Sequence, residues 1–310
     1  MNYFIAIDGG GTKTESVLFD QTGRILHRHI TTGCNVLDLG VESAAALLLQ
    51  VIAQLQAVSG GPVTAVFGGI AGNCHCHNAL EEYLRPRVEA RLQICDDTYS
   101  VISSVLGHGD GCGLVSGTGS SLFVRAKDHP CTHIGGWGYL IDTGGSGYNI
   151  GCDAIYHALC AVDGRGSATV LNALLEKDLG MPIEHAIQAI YAGGRPYIAS
   201  FAHTVFEGRR MGDAVCRQIF EKAVGCLAAL VRAAARYYEG EYPVVLGGGL
   251  FAAYPEYVEA LRAAVPPQAK LLTTSMPVVY GAAVEALRVG GQPLSEDFRE
   301  AFFRDYEKMI

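Results

Sequence analysis

The opening of the chain alternates short apolar runs with turn residues, a pattern typical of β-strands. Residues 5–7 and 15–19 are apolar and β-rich, residues 20–23 read as a turn, and residues 24–31 form another strand-like stretch. Three glycines stand between the first two runs. Because a β-rich run follows these glycines, we predict that they lie in a β-hairpin turn and that the first three strands are antiparallel.

Beyond the hairpin, helical and strand patterns alternate. Residues 41–58 carry apolar residues on one helical face, and residues 65–67 and 92–95 read as strands. Residues 78–84 predict a short helix, and another helix follows residue 97 to about residue 106. Alternating strands and helices predict an α/β domain with a mixed sheet.

A second unit repeats the opening pattern. Residues 113–116 and 121–125 predict two strands separated by a turn of glycine and hydroxyl residues. Residues 146–238 read as mostly helical, with breaks at Pro182 and Gly193-Gly194, and residues 243–246 predict a strand that runs into a third glycine turn. We therefore predict a duplicated architecture with a first domain at 1–112 and a second at 113–310.

Composition and charge narrow the class of protein. The 310 residues are enough for two domains, and no apolar stretch reaches the ~18 residues of a membrane span. The start lacks the pattern of an export signal, so we expect a cytoplasmic protein with its ten cysteines reduced. The net charge of −8 and the lack of a basic cluster argue against nucleic acid and anionic membranes as partners, which favours a small molecule.

The glycine turns suggest phosphate binding. Glycine lets the backbone approach a ligand closely, so that amide N–H groups can converge on an anion. Neither the Walker spacing nor the dinucleotide-binding spacing is present, and both of those motifs open a helix. Two such hairpins in one chain suggest that one nucleotide is held from both sides.

The order of these turns resembles that of the actin/Hsp70/sugar-kinase superfamily. More narrowly, the chain resembles the BadF/BadG/BcrA/BcrD ATPase family and its N-acetylglucosamine kinases. Further stretches carry the resemblance: 33–35, 94–97, 135–139, 145–148, 212–213 and 280–283. It implies a two-lobed actin-like ATPase (ribonuclease H-like) fold of the α/β class, with duplicated mixed-sheet domains and a helical insertion in the second lobe.

The resemblance also implies an activity. It indicates an ATP-dependent kinase for an amino sugar such as N-acetylglucosamine, N-acetylmuramic acid or glucosamine, with Mg²⁺ as cofactor, and a homodimer. The expected ATP-binding residues lie in the three glycine turns: Gly10, Gly11, Thr12, Lys13, Thr118, Gly119, Gly248 and Gly249. Asp8 is expected to hold Mg²⁺ through a water molecule, because Mg²⁺ gives up its hydration shell reluctantly.

Two adjacent carboxylates are candidates for the catalytic base. Phosphoryl transfer needs a group that accepts the proton of the acceptor hydroxyl. Comparison with the family favours Asp96 over Asp97, although one of the two is expected to cap the following helix.

The sugar contacts are expected in two places. Asn35 can donate to and accept from hydroxyls, and the Gly136-Trp137-Gly138 loop holds the only tryptophan. Downstream of that loop, Asp142 and Thr143 stand where the resembling kinases have glycine and a sugar-binding aspartate. Asp142 is therefore the candidate replacement carboxylate.

Other readings stay open. The run Cys74-His75-Cys76-His77 suggests a metal, but adjacent ligands point in opposite directions on a strand, so no metal role is expected.

A family branch of ATP-driven electron-transfer activators holds an iron–sulfur cluster on cysteines, and here Cys112 precedes the second turn at a different spacing. After the kinase and the electron-transfer activator, the third candidate function is a nucleotide or sugar sensor without turnover.

Overall fold

The computed structural model describes residues 1–76, 78–127, 129–142 and 144–310. The chain divides into two compact units, Met1–Gly113 with Leu272–Ile310, and Leu114–Leu271. The sequence suggests a division into 1–112 and 113–310. The structure differs in placing the C-terminal 39 residues in the first unit rather than the second.

The first unit contains a five-stranded sheet in the order β3-β2-β1-β4-β5. The strands are β1 (Tyr3–Gly9), β2 (Lys13–Asp20), β3 (Ile25–Thr32), β4 (Val63–Ile70) and β5 (Arg91–Cys95). The first three are antiparallel neighbours, as predicted, and β4 and β5 run parallel to β1. The ends of β1, β4 and β5 therefore meet at one edge of the sheet.

Helices cover both faces of this sheet. They are α1 (Val36–Leu39), α2 (Val41–Ala57), α3 (Ala79–Leu84), α4 (Asp97–Leu106), α12 (Val278–Val289) and α13 (Phe298–Glu307). Along β1, Ile5 and Ile7 belong to one apolar core and Phe4 and Ala6 to the other. Because both faces are covered, the strand is apolar at every one of these positions.

The C-terminal segment returns to the first unit because its helices complete one of these cores. Nine consecutive residues of α12, Val279 to Leu287, are buried, which is typical of a helix enclosed on all sides. Phe298 and Phe302 of α13 pack against Phe19 of β2. These contacts join residues that are far apart in sequence, which a local pattern does not encode.

The second unit contains another five-stranded sheet, in the order β10-β9-β6-β7-β8. The strands are β6 (Gly111–Ser116), β7 (Ser120–Ala126), β8 (His129–Ile134), β9 (Tyr242–Gly247) and β10 (Ala269–Thr273). Between β8 and β9 the chain is helical, as predicted. The helices of this unit are α5 (Gly147–Asp163), α6 (Leu171–Leu179), α7 (Ile187–Ser200), α8 (Ala202–Arg210), α9 (Ala214–Ala234), α10 (Gly249–Ala253) and α11 (Pro255–Ala264).

The predicted breaks lie where expected. A short 3₁₀ turn begins after Pro182, and Gly194 has a non-helical backbone (φ 63°, ψ −161°) that kinks α7. Over the described ranges, no helix is long and apolar enough to cross a membrane.

Candidate active site

The first glycine turn connects β1 to β2 and is closed by its own backbone. The Gly10 N–H donates to the Lys13 carbonyl at 2.9 Å, and the Cys34 N–H donates to the Gly10 carbonyl at 3.0 Å. A Cβ at Gly33 would overlap the Gly11 carbonyl, so only glycine allows this approach. The Gly10 amide therefore closes the turn, which differs from the phosphate-donor role expected for it.

The remaining residues of the turn face outwards. Thr12 and Lys13 are exposed, and the Lys13 ammonium lies 3.0 Å from Glu15. Its charge is thus partly compensated by a partner on the same strand. Gly11 and the Thr12 side chain are the parts of this turn best placed to meet a phosphate.

Asp8 lies at the end of β1, half-buried and opposite Glu15 in the antiparallel register. The pKa of Asp8 is raised to about 7, chiefly by burial and also by the negative charge of Glu15, while Lys13 opposes the shift. A carboxylate whose charge is poorly compensated is well suited to a cation. The oxygen donor also suits Mg²⁺ in particular.

Asp96 and Asp97 follow β5 and begin α4, but the two side chains have different environments. Asp96 is buried and is the N-cap of α4, with its Oδ1 2.9 Å from the Thr98 hydroxyl and 3.4 Å from the Thr98 amide nitrogen. Asp97 is half-buried, with its Oδ1 3.2 Å from the same hydroxyl. The structure therefore gives the capping role to Asp96.

Asp97 belongs to a group of three carboxylates. Burial raises the pKa of Asp97 well above its ordinary value, and the negative charges of Asp96 and Asp8 raise it further. A carboxyl group with a raised pKa binds a proton more readily at neutral pH, as a general base should. The sequence favours Asp96 as the base, and the raised pKa of Asp97 makes the neighbouring carboxylate a second candidate.

Gly69 allows this group of carboxylates to form. It pairs with Asp8 in the parallel register of β1 and β4. A Cβ at Gly69 would overlap the Ser100 hydroxyl and would lie 3.3 Å from the Asp97 Cα. The sequence pattern ends the predicted strand at residue 67 and assigns no role to Gly69. The signal that could have found it is the glycine pair at the end of β4.

Asn35 is tied to the first glycine turn by neighbouring backbone hydrogen bonds. The Ala71 N–H donates to the Gly9 carbonyl at 2.8 Å, and the Val36 N–H donates to the Ala71 carbonyl at 3.0 Å. Asn35 caps α1, since its Oδ1 accepts from the Leu37 N–H at 2.9 Å. The capping bond engages the amide oxygen, so the side-chain NH₂ is the group best suited to bind a sugar hydroxyl.

Glu15 links the first glycine turn to the C-terminal helix α13. Its side chain is only 4% exposed and accepts from the Tyr306 hydroxyl at 2.6 Å, from Arg28 Nε at 2.8 Å and from Lys13 Nζ at 3.0 Å. Burial opposes ionisation of Glu15, but these three hydrogen bonds outweigh it and lower the pKa of Glu15 below its ordinary value. Arg28 also stacks over the Tyr306 ring at 4.8 Å.

Removing the Tyr306 hydroxyl tests this link. We expect Tyr306→Phe to lower the free energy of unfolding by about 1–2 kcal/mol, because a buried carboxylate loses one of its donors. The measurement is urea unfolding near neutral pH, where Glu15 is ionised. Tyr191→Phe is the control, since Tyr191 is exposed, and an equal loss in both variants would contradict the role of the link.

The second and third glycine turns lie together in the second unit. The Gly117 N–H donates to the Gly119 carbonyl at 2.9 Å, and the Tyr148 N–H at the start of α5 donates to the Thr118 carbonyl at 3.2 Å. Gly248 has φ 99°, and a Cβ there would overlap the Ser116 carbonyl. Positive φ and this overlap both require glycine at position 248.

The space beside these two turns is open. A Cβ built at Gly119 or Gly249 has no atom within 4 Å. The structure thus brings the predicted residues Thr118, Gly119, Gly248 and Gly249 to one region of the second unit. Bare backbone there suits the close approach of a ligand.

The tryptophan loop is exposed and is held in place by Asp142. Gly136 and Gly138 have φ of 68° and 111°, and Trp137 is 58% exposed. Asp142 Oδ2 accepts from the Trp137 N–H at 3.1 Å, and the Asp142 N–H donates to the Gly138 carbonyl at 2.9 Å. One carboxylate oxygen of Asp142 therefore stabilises the loop. Thr143 lies outside the described residues.

The run of cysteine and histidine residues does not lie on a strand, although the sequence suggests one. Cys74, His75 and Cys76 lie in a 3₁₀ helix (Asn73–Cys76), and His77 lies outside the described residues. Cys112 is completely buried within β6. Because a cluster between two subunits needs cysteines at the surface, the buried position of Cys112 argues against the iron–sulfur reading.

Two five-stranded sheets, each with a glycine turn between neighbouring strands, define an α/β fold of the actin-like class. The chain belongs to the BadF/BadG/BcrA/BcrD ATPase family, whose model matches residues 5–286. The expected fold is therefore confirmed, including the helical insertion in the second unit.

Individual proteins of known name are similar over most of the chain. An N-acetylmuramic acid/N-acetylglucosamine kinase from Clostridium acetobutylicum is 28% identical over 75% of this chain and 79% of its own. An N-acetyl-D-glucosamine kinase from Dictyostelium discoideum is 27% identical over 92% of this chain and 97% of its own. A solved structure described as a candidate N-acetylglucosamine kinase, from Chromobacterium violaceum, has a TM-score of 0.73 and 24% identity over 93% of this chain and 99% of that chain.

Proposed function

We propose that this protein is an ATP-dependent kinase that transfers the γ-phosphoryl group of ATP to a hydroxyl of an amino sugar. N-acetylglucosamine, or a close relative such as N-acetylmuramic acid, is the proposed acceptor. The observation that carries the proposal is the group of Asp8, Asp96 and Asp97 beside the first glycine turn. Membership of an ATPase family and the names of the two curated relatives support it.

The proposed chemistry gives each polar group a separate task. Asp97 accepts the proton of the acceptor hydroxyl, and its raised pKa matches this role near neutral pH. Asp96 caps α4 and so fixes the start of the helix that carries Asp97. The Asn35 NH₂ and the Trp137 loop bind the sugar.

The glycine turns bind the nucleotide in this proposal. Gly11, Thr12, Thr118 and Gly119 bind phosphate oxygens. Gly248 and Gly249 present bare backbone to the adenosine. Asp8 holds Mg²⁺ through water, and the ion supplies positive charge that neutralises the transferred phosphoryl group.

A coupled assay of ADP release tests the proposal. We expect release that depends on both an amino sugar and Mg²⁺, across a panel of N-acetylglucosamine, N-acetylmuramic acid, glucosamine and glucose. ADP release that is the same with and without every sugar would contradict kinase activity. It would favour an ATPase of another kind.

The raised pKa of Asp8 predicts that the Mg²⁺ requirement of the activity depends on pH. A proton and Mg²⁺ compete for this carboxylate, and because its pKa is about 7, the proton occupies it increasingly as the pH falls from 8 to 6. The Mg²⁺ concentration for half-maximal activity should therefore rise, approaching about tenfold per pH unit below 7.

Titrations of activity with Mg²⁺ at several pH values measure this effect. Asp8→Asn, which has no titrating group at this position, serves as the comparison and should show a weaker pH dependence of its Mg²⁺ requirement. A requirement that does not change with pH in the unmodified protein would contradict the role of Asp8.

A further inference from the structure

A pocket of about 260 Å³ lies in the second unit between α5 and α9, beside the segment that follows Trp137. Its lining includes Tyr139, Tyr148, Cys152, Asp153, Lys222 and Cys226. No residue predicted to bind ATP or the acceptor sugar lines it. The pocket is therefore a second place where a small molecule can be held.

The charges of the pocket are balanced. Lys222 Nζ lies 2.9 and 2.8 Å from the two carboxylate oxygens of Asp153. The one cation and one anion of the lining leave no net positive charge to attract a phosphate or a nucleotide.

The remaining lining suits a ligand with hydroxyl groups and apolar C–H faces. The rings of Tyr139 and Tyr148 lie 5.0 Å apart at 74°, and aromatic rings offer apolar surface with a polar tip. The carboxylate of Asp153 accepts hydrogen bonds and the ammonium of Lys222 donates them. Adjacent hydroxyls of one molecule can satisfy both groups together.

We propose that this pocket binds a neutral carbohydrate of about monosaccharide size. The volume, the balanced charge and the paired donor and acceptor select this class over charged metabolites. Tyr148 also donates its backbone N–H to the Thr118 carbonyl. A carbohydrate in the pocket would thus contact the same turn of α5 that contacts the second glycine turn.

The two thiols provide a local test of occupancy. Burial raises the pKa of both Cys152 and Cys226, so their alkylation by iodoacetamide is followed at mildly alkaline pH, with each peptide quantified by mass spectrometry. We expect N-acetylglucosamine or glucose, added without ATP, to slow the alkylation of both thiols severalfold. Glucose 6-phosphate, which is charged, should leave both rates unchanged.

Variants separate this pocket from the acceptor site. Lys222→Met removes the donor, and since this side chain is more than half exposed, the fold should be retained. Protection by the sugar should be lost in Lys222→Met. It should remain in Lys270→Met, which breaks a comparable ion pair with Glu241 outside the pocket.

Three results would overturn the proposal. They are unchanged alkylation rates with the neutral sugars, equal protection by glucose 6-phosphate, and protection that persists in Lys222→Met. None depends on phosphoryl transfer, because no ATP is present. Failure here is therefore distinct from failure of the proposed kinase activity.

Discussion

Asp97→Asn should lower kcat for sugar-dependent ADP release by about two to four orders of magnitude, the usual contribution of a general base. The substitution keeps the size of the side chain but removes its ability to accept the proton of the sugar hydroxyl. Burial and the two other carboxylates raise the pKa of Asp97, and this shift is the reason for proposing it as the base. Steady-state kinetics with saturating ATP and sugar measure the effect.

The matched variant is Asp96→Asn. Asparagine caps a helix about as well as aspartate, and Asp96 acts as the N-cap of α4. We therefore expect Asp96→Asn to keep most of its activity and stability. The opposite outcome, with Asp96→Asn inactive and Asp97→Asn active, would return the base to the residue that the sequence favoured.

Gly281→Ala should lower the free energy of unfolding by about 1–2 kcal/mol, because overpacking of a tight contact costs about 1–3 kcal/mol. Gly281 of α12 lies against α4, and a Cβ at this position would overlap the Ser100 carbonyl and approach the Ser104 nitrogen. Alanine favours a helix over glycine by up to about 1 kcal/mol, which is smaller than the cost of overlap. Urea unfolding measures the difference.

Gly225→Ala is the control for this effect. Gly225 lies within α9, and a Cβ there has no atom within 4 Å. Helix propensity alone should then stabilise the protein by up to about 1 kcal/mol. If Gly281→Ala were stabilised to the same degree, the close contact between α12 and α4 would be contradicted.

Local patterns in the sequence predict much of the fold. The first hairpin, helix α2 and the helical run after Ser146 depend on near neighbours in the chain, and each lies close to its predicted bounds. Strands β8 and β10 were not predicted, nor was the return of the C-terminal segment to the first unit. Strand β10 and the return of the C-terminal segment depend on packing against residues far away in sequence, for which a single sequence carries no local signal. Strand β8, by contrast, pairs with β7, its neighbour in the chain.

The sequence indicates which turns contain the candidate site residues, but it does not indicate which role each residue of a turn has. The sequence identifies Asp8 and the Asp96–Asp97 pair, yet both aspartates are suitable caps, so composition alone does not distinguish them. The strand that precedes α4 fixes which one is buried. In the same way, the Gly10 amide can bind phosphate or close a hairpin, and its hydrogen bond to Lys13 decides the matter.

The composition of the first unit also sets an order of events during synthesis. Phe4, Phe19 and Phe67 share their core with Tyr280, Phe298 and Phe302, which leave the ribosome only after the second unit has been made. One apolar face of the nascent N-terminal sheet therefore stays exposed to solvent while residues 114–271 emerge and can fold. During that interval the uncovered apolar surface makes the growing chain prone to aggregation.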